Sequence, residues 1–319
     1  MKAIILEGFG GVENMVVSEQ PTPSIESNEV LVQVRAIGIN PVDIKTRQGK
    51  SLADSLKKFN PIVLGWDIAG TVIATGEDVT LFRNGDDVFG MINFPGHGKA
   101  YAEYVAAPEG HLALKPQEIT FEEAAGACLA ALTAWQVLKE KVKLKQGDKV
   151  LIHGGAGGVG HFAIQMAKYL GADVTTTASA SNRDFVLSLG ASLHIDYEAV
   201  PFETIVNDID FVFDTIGGPY IDRSLRVLRK GGTIVCIPGA TAAGLEEKAA
   251  AAGMTGSRFM VQSDGNNMRE IASLLGKGVI KTHISSIFAL DKVQEAHLQI
   301  ETGKTKGKVV LSVQAHSRE

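Results

Sequence analysis

Six consecutive residues near the middle of the chain have the spacing Gly-x-Gly-x-x-Gly, a pattern that serves phosphate binding. They are Gly155, Ala156, Gly157, Gly158, Val159 and Gly160. The run follows an apolar segment, 149–153, and begins a segment with apolar residues at helical spacing, which predicts strand, glycine loop and helix. In that context the three glycines permit a tight turn, a close backbone approach to a pyrophosphate and close packing of helix on strand. Free N–H groups at the helix start would face the phosphate charge. We therefore predict that the chain binds a nicotinamide dinucleotide, and an empty flexible loop is the weaker alternative.

The residues that follow the second predicted strand favour NADP(H) over NAD(H). NAD-binding proteins usually place Asp or Glu about 20 residues past the glycine loop, where it binds the ribose 2′-hydroxyl. Here segment 177–183 reads Thr-Ala-Ser-Ala-Ser-Asn-Arg and contains no acid. Ser179, Asn182 and Arg183 are predicted to bind a 2′-phosphate, which a carboxylate would repel. The alternative for Arg183 is a solvated residue in the first turn of a helix.

Strands and helices alternate from Gly147 to Gly239, which predicts an α/β domain with a parallel, doubly wound sheet. In such a sheet, the loops at the carboxyl ends of the strands line one crevice. Further cofactor-binding residues are therefore predicted in the loops after the later strands, with ordinary turns as the alternative. They are Tyr197, Thr215, Gly217, Pro238 and Gly239.

The first 120 residues or so have a different pattern. Short alternating segments such as 30–36 and 68–74 are separated by turn residues, which predicts a small β-rich barrel or sandwich. The closing apolar segment, 308–313, is expected to be a strand that returns to this N-terminal domain. We predict two domains, one built from residues 1–121 and 262–319 and the other from residues 122–261.

Composition narrows the range of functions. The net charge is −5, which argues against nucleic acid as the main partner. No apolar run approaches the about 20 residues that a membrane helix needs. The N-terminus reaches the acidic Glu7 too early for a secretory signal, so we expect a cytoplasmic protein. Cys128 and Cys236 are expected to be buried, inert thiols, because two distant cysteines form neither a disulfide framework nor a four-thiolate zinc site.

Several short segments, in order along nearly the whole chain, resemble the medium-chain dehydrogenase/reductase family, in its zinc-independent quinone oxidoreductase branch. The matching segments are 38–43, 64–70, 85–90, 100–104, 132–135, 150–160 and 307–311. The resemblance implies a GroES-like catalytic domain built from both chain ends, with a Rossmann domain between them. It also implies NADP(H)-dependent reduction of quinones, enones or related activated alkenes, in a homodimer. Lys308, in the last segment, joins the predicted cofactor-binding residues.

The resemblance also bears on zinc. Zinc-dependent relatives have Cys at the position of Asn40, His at that of Trp66, and a third ligand close to Leu129. An amide, an indole and an aliphatic side chain do not replace thiolate and imidazole ligands. Without a Lewis acid, simple alcohol oxidation is disfavoured, whereas hydride addition to a conjugated carbonyl needs only hydrogen-bond donors near the oxygen. We therefore predict no metal.

Three residues are the candidates for direct roles in the reaction. Asn40 takes the place of the lost metal ligand, Asp43 matches a position near that site, and Thr133 matches a position close to the nicotinamide. The alternatives are local structural roles for Asp43 and Asp67 and a hydroxyl bonded within its own helix for Thr133. Some enoyl-reductase relatives have a proton-donating tyrosine after the Asn-Pro motif, but residues 44–59 contain none, so solvent is the expected proton source.

Two other hypotheses remain open from the sequence. One is an NADPH-binding structural or regulatory protein with little turnover, which the missing proton donor favours. The other is a zinc alcohol dehydrogenase, which requires stoichiometric zinc. The intact glycine loop and the intact segment 40–43 favour the reductase over the regulatory protein, and elemental analysis that finds no zinc would exclude the alcohol dehydrogenase.

Overall fold

The computed structural model describes residues 1–313. Within that range the strands are β1 (Lys2–Leu6), β2 (Met15–Glu19), β3 (Glu29–Gly38), β4 (Ile62–Val63), β5 (Asp67–Thr75), β6 (Asp87–Met91), β7 (Tyr104–Pro108), β8 (Ala113–Leu114), β9 (Lys149–His153), β10 (Asp173–Ala178), β11 (Leu193–Asp196), β12 (Ile209–Asp214), β13 (Leu228–Cys236), β14 (Thr255–Arg258), β15 (Ile284–Ala289) and β16 (Lys308–Ser312). The α-helices are α1 (Pro41–Arg47), α2 (Ala53–Leu56), α3 (Phe121–Trp135), α4 (Gly158–Tyr169), α5 (Arg183–Ser188), α6 (Pro219–Leu225), α7 (Leu245–Ala251), α8 (Gly265–Gly276) and α9 (Val293–Glu301).

The chain divides into two compact units. Unit 1 comprises Met1–Leu132 and the chain from Gln262 onward, and unit 2 comprises Thr133–Val261. The sequence places the first boundary at residues 121/122, at the start of α3, whereas the structure places it near the end of that helix.

Unit 1 contains a seven-stranded sheet in the order β15-β16-β3-β5-β6-β8, with β7 also paired to β3, and a second sheet in the order β2-β1-β4. The long strand β3 buries alternate residues, among them Val30, Val32 and Val34, as expected for a strand with one face on a core. The closing strand β16 pairs antiparallel with β3, with Leu311 opposite Ile37. This pairing confirms the expected return of the last strand to the N-terminal sheet.

Unit 2 is built around a six-stranded sheet in the order β11-β10-β9-β12-β13-β14, and every neighbouring pair is parallel. The chain moves outward from β9 in one direction through β10 and β11, and in the other through β12 to β14. The order therefore reverses between β9 and β12, which is the position at which doubly wound sheets bind ligands. The predicted α/β class and the doubly wound parallel sheet are confirmed.

Some local predictions differ from the structure. A serine before an apolar helical segment predicts an N-cap at Ser181, which is wrong, because residues Ala180–Asn182 form a short 3-10 turn and α5 begins at Arg183 with Asn182 as its N-cap. The segment 122–138, rich in Ala and Leu, predicts a single helix, but the α-helix ends at Trp135 and the chain continues as a π-helical segment, Gln136–Lys141. Both cysteines are buried and free, as predicted. Among residues 1–313 no helix is long and apolar enough to cross a bilayer.

Candidate functional site

The glycine loop joins β9 to α4 at the carboxyl edge of the parallel sheet. The left-handed residue of this turn is Gly154, with φ +69°, so the tight turn begins one residue before the predicted Gly155. Gly155 has a different constraint, because a Cβ there would lie 2.0 Å from the Thr176 hydroxyl oxygen. At Gly160 a Cβ would lie 2.2 Å from the carbonyl oxygen of Gly154, so this glycine lets the helix pack on the loop.

The start of α4 has the chemistry of a phosphate site. Its N-cap, Gly157, provides no side-chain cap, and no acidic residue lies in the first turn. A Cβ at Gly157 would lie 3.3 Å from the Gly154 carbonyl oxygen and would meet no other atom of the described residues within 4 Å. Uncapped N–H groups and the positive end of a 12-residue helix fit the pyrophosphate of a dinucleotide.

Hydrogen bonds connect this loop to the ends of both neighbouring strands. The Gly155 N–H donates to the Thr177 carbonyl oxygen at the end of β10, at 3.0 Å. The Thr215 hydroxyl, just after β12, donates to the His153 carbonyl oxygen at 2.7 Å. The predicted residues of the three strand-end loops are therefore brought together at one edge of the sheet.

The loop after β12 is shaped by a buried carboxylate. Oδ1 of Asp214 accepts the N–H groups of Ile216 and Gly217, at 2.8 and 2.9 Å. Burial raises the pKa of Asp214 above its ordinary value, and the two N–H donors oppose that shift. Gly217 has φ +74°, and a Cβ there would lie 2.0 Å from the Thr241 hydroxyl oxygen.

The loop after β13 is fixed to the same region. The Thr241 hydroxyl donates to the Pro238 carbonyl oxygen at 2.9 Å, and the Thr241 carbonyl oxygen accepts the Gly218 N–H at 2.9 Å. Gly239 follows Pro238 in this loop, and its N–H donates to the Ile237 carbonyl oxygen at 2.9 Å. Thr215, Gly217, Pro238 and Gly239 thus line connected loops, and their contact with a cofactor stays a prediction.

The predicted 2′-phosphate residues lie just after β10. The Ser179 hydroxyl oxygen accepts a hydrogen bond from the Asn182 side-chain amide at 3.0 Å and lies 3.1 Å from the Ser181 hydroxyl oxygen. Arg183 is exposed, and its side chain forms no hydrogen bond or ion pair with any residue that the structure describes. Tyr197, which follows the adjacent strand β11, is 47% exposed. Cationic and hydroxyl groups at this edge fit a 2′-phosphate.

A second polar cluster, in unit 1, surrounds Asn40. Its side-chain amide nitrogen donates to Oδ2 of Asp67 at 2.8 Å, and its Oδ1 accepts from the Lys308 ammonium at 2.5 Å. Oδ1 of Asp67 accepts the Leu129 N–H at 3.0 Å. Burial raises the pKa of Asp67 to about 6, although Lys308 and Asn40 oppose that shift. We refer to Asn40, Asp43, Asp67, Tyr101 and Lys308 as the charged cluster.

Asp43 joins this cluster from the first turn of α1. Its Oδ2 accepts the Asn40 N–H and the Tyr101 hydroxyl, each at 2.9 Å. The Tyr101 oxygen also lies 2.9 Å from Nε2 of His297 on α9. Burial raises the pKa of Asp43 to about 7, and the nearby Asp67 contributes to the same shift. Tyr101 and His297 were not predicted as site residues. Tyr101 lies in a segment that matches the family, but His297 has no comparable signal.

The structure places Lys308 and Thr133 in different surroundings. Lys308, predicted to bind cofactor, is 3% exposed and donates to the carbonyl oxygen of Ile39 at 2.8 Å as well as to Asn40. Burial lowers the pKa of this ammonium, whereas Asp67 and Asp43 oppose the shift. Thr133, on α3, is 4% exposed and belongs to unit 2, whereas Asn40 and Asp43 belong to unit 1.

The three positions that correspond to zinc ligands in other members of the family have other roles here. Nε1 of Trp66 donates to the Gly96 carbonyl oxygen at 2.7 Å, and the indole packs edge-on against Phe94. The backbone N–H of Leu129 and the side-chain amide of Asn40 each donate a hydrogen bond to the Asp67 carboxylate. Over residues 1–313, no group of three or more His, Cys, Asp or Glu side chains could hold a metal ion.

Comparison with known proteins agrees with this architecture. A family profile described as the alcohol dehydrogenase GroES-like domain matches residues 26–117, and one described as zinc-binding dehydrogenase matches residues 189–311. A 2-methylene-furan-3-one reductase from Solanum lycopersicum is 35% identical over 98% of this chain and 79% of its own length. An NADPH-dependent alkenal/one oxidoreductase from Arabidopsis thaliana has the same identity and coverage.

A solved structure extends the comparison to the fold of the whole chain. The quinone oxidoreductase from Coxiella burnetii superimposes with a TM-score of 0.94, at 38% identity, and covers 98% of this chain and 99% of its own. The similarity in sequence and the similarity in fold both extend over the two units. The chain therefore belongs to the medium-chain dehydrogenase/reductase superfamily, in its quinone oxidoreductase-like branch.

Proposed function

We propose that this protein is an NADPH-dependent oxidoreductase that reduces enones or quinones by hydride transfer without zinc. The observation that carries the proposal is the 35% identity, over 98% of the chain, to reductases named for alkenals and for an alkylidene furanone. These acceptors have an alkene conjugated to a carbonyl group, and a quinone has the same arrangement in its ring. The similarity to a quinone oxidoreductase at a TM-score of 0.94 supports the same acceptor class.

Unit 2 would hold the cofactor through the glycine loop. The N–H groups at the start of α4 would bind the pyrophosphate, and Gly155 and Gly160 keep the loop close to the sheet. Ser179, Asn182 and Arg183 would bind the 2′-phosphate. When bound, NADPH supplies the hydride, and the chain supplies binding, orientation and electrostatics.

Unit 1 would provide the groups for the acceptor. Asn40 has two N–H bonds on its amide nitrogen, one of which donates to Asp67. The second can donate to an acceptor oxygen that gains negative charge as the hydride is added. Asn40, Trp66 and Leu129 offer no thiolate or imidazole, which supports a reaction without zinc.

Steady-state oxidation of NADPH, followed at its absorbance maximum with a panel of quinones and 2-enones, tests the proposal. We expect turnover with at least one acceptor class and substoichiometric zinc by elemental analysis of active enzyme. Tight NADPH binding without turnover on any acceptor would support a regulatory protein instead. Activity that requires one zinc per chain would support the alcohol dehydrogenase hypothesis.

A homodimer and a cytoplasmic location also stay predictions. Light scattering after gel filtration tests the homodimer.

A further inference from the structure

The charged cluster contains a buried cation that the proposed reaction does not yet use. Lys308 begins β16 and is separated by 268 residues from Asn40, to which it donates. The ammonium is held by the Ile39 carbonyl oxygen and Oδ1 of Asn40, and it lies 4.0 Å from Oδ2 of Asp67. Because Lys308 is 3% exposed and Asp67 is fully buried, this ion pair is shielded from solvent.

The two charges determine how the Asn40 carboxamide is oriented. A carboxamide presents one acceptor oxygen and one donor nitrogen, and rotation by 180° exchanges them. In the observed orientation the oxygen faces the ammonium and the nitrogen faces the carboxylate. The rotated orientation would bring an NH2 group to the ammonium and an oxygen to the carboxylate, so both contacts would become repulsive. Lys308 and Asp67 therefore select a single orientation.

That orientation decides which group Asn40 can offer to a ligand. Oδ1 is engaged by Lys308, and one N–H is engaged by Asp67. Within the described range, no residue accepts the second N–H of the amide. Asp67 is itself fixed, because its other oxygen accepts the backbone N–H of Leu129. On this side chain, which is 1% exposed, the group that the described residues leave unpaired is a hydrogen-bond donor and not an acceptor.

We propose that Lys308 is a positioning residue which, paired with Asp67, fixes the Asn40 carboxamide as a hydrogen-bond donor to the carbonyl oxygen of the acceptor. This inference rests on the proposed function. It replaces the sequence-based expectation that Lys308 contacts the cofactor directly. It also gives a reason for burying an ammonium group at this point in unit 1, since burial of an ion pair is otherwise weak evidence of stability.

The test compares Lys308→Met with the double variant Asp67→Asn/Lys308→Met. The single variant leaves the Asp67 carboxylate without its cation, whereas the double variant removes both charges and preserves shape. We expect kcat to fall about 10- to 100-fold in both variants, because a displaced donor is costly in the transition state. The dissociation constant of NADPH, measured by fluorescence titration, should change less than about twofold. Only the double variant should recover the wild-type Tm. Lys304→Met, at an exposed lysine nearby, is the matched control and should match the wild type.

Two results would overturn the proposal. If the double variant recovers kcat together with Tm, Lys308 has a structural role alone. If NADPH binding weakens more than about tenfold while kcat is retained, Lys308 binds the cofactor.

In the Asn40→Ala background we expect the Lys308 substitution to change kcat little further, because the two residues act as one unit.

A spectroscopic readout separates this inference from the proposed function. In ¹⁵N-asparagine-labelled protein, the side-chain amide signal of Asn40 is assigned by its loss in Asn40→Asp. We expect Lys308→Met to shift that signal in the absence of any ligand. An unchanged signal would contradict the positioning role. If the wild type turns over no quinone or enone, the proposed function fails, and the role of Asn40 toward an acceptor fails with it, whatever the signal shows.

Discussion

Each unit of the molecule buries a polar cluster, and the two clusters differ in charge. In unit 2 the neutral cluster consists of His153, Thr177 and Ser224. Nδ1 of His153 lies 3.1 Å from the Thr177 hydroxyl oxygen, and Nε2 lies 3.0 Å from the Ser224 hydroxyl oxygen, so both ring nitrogens have partners. In the charged cluster of unit 1, the Lys308 ammonium lies 4.0 Å from a single carboxylate, that of Asp67, and among residues 1–313 Oδ1 of Asp43 has no hydrogen-bond partner.

The pKa values of the two clusters show the same contrast. Burial, reinforced by Arg223 and opposed by Glu203, lowers the pKa of His153 to about 3, so this imidazole is uncharged at neutral pH. Burial raises the pKa of Asp43 to about 7, so this carboxyl group exchanges its proton near neutrality. A satisfied neutral cluster fixes the ends of β9 and β10, where the glycine loop begins. A buried carboxyl group whose pKa lies near 7 is typical of a site that does chemistry.

The largest expected effect comes from removing one partner in each cluster. Lys308→Met should lower the free energy of unfolding by about 3–5 kcal/mol, because it leaves a buried carboxylate unpaired. Ser224→Ala removes a partner from a neutral imidazole and should cost about 1–3 kcal/mol. Urea unfolding at pH 7.5 measures both. Equal losses would show that charge does not distinguish the clusters.

The glycine loop, which the neutral cluster supports, should separate stability from binding. Gly160→Ala should lower the free energy of unfolding by about 1–3 kcal/mol, because its Cβ meets a backbone oxygen that has little room to move. Gly157→Ala has ordinary φ, and its Cβ would lie 3.3 Å from the Gly154 carbonyl oxygen, a milder contact, so it should lower the unfolding free energy less than Gly160→Ala does. Both variants should weaken NADPH binding at least about tenfold if the pyrophosphate lies over the loop. Intact binding in Gly157→Ala would place the phosphate elsewhere.

The pH dependence of stability tests the neutral state of His153. A histidine with a lowered folded-state pKa contributes stability that is present above its unfolded pKa, near 6.5, and lost as the pH falls toward about 3. The difference in unfolding free energy between wild type and His153→Gln should therefore shrink by about 1.4 kcal/mol per pH unit below pH 6. Ser224→Ala, which keeps the imidazole, is the control and should follow the wild-type slope. A difference that does not vary between pH 6 and 4.5 would mean that His153 is charged in the folded protein.

Much of unit 2 follows from its sequence, because the central strands β9 and β12 contain short apolar runs and are followed by turn residues. The run at β9 followed by Gly155, Gly157 and Gly160 is enough to predict strand, loop and helix. The left-handed turn at Gly154 was missed, since a pattern of glycines does not show which one takes a positive φ. The cap at Ser181 was also mispredicted, because a competing turn at Ala180–Asn182 occupies the residues before the helix.

The charged cluster was much harder to predict. Asn40 and Asp43 lie together in one segment and could be selected by resemblance. Lys308, Tyr101 and His297 come from distant segments and meet only after the sheet of unit 1 has formed. A lysine at the start of a strand is usually exposed, so nothing local indicates that its ammonium is buried. The sequence therefore identified both the amide and the lysine, but it predicted a cofactor contact for Lys308 and not its burial beside Asn40.

The smallest expected effect concerns an exposed cation and contrasts with buried Lys308. Arg183→Ala should weaken NADPH binding by about 1–2 kcal/mol, roughly tenfold, and leave NADH binding unchanged, because one charge-assisted contact to the 2′-phosphate is lost. The loss should diminish at high salt, since exposed charges are screened, whereas the effects of Lys308→Met should not. Arg269→Ala, at an exposed arginine of unit 1, is the control for net charge. If wild type binds NADH as tightly as NADPH, the preference inferred from the acid-free end of β10 is wrong, and Arg183 is only a solvated helix residue.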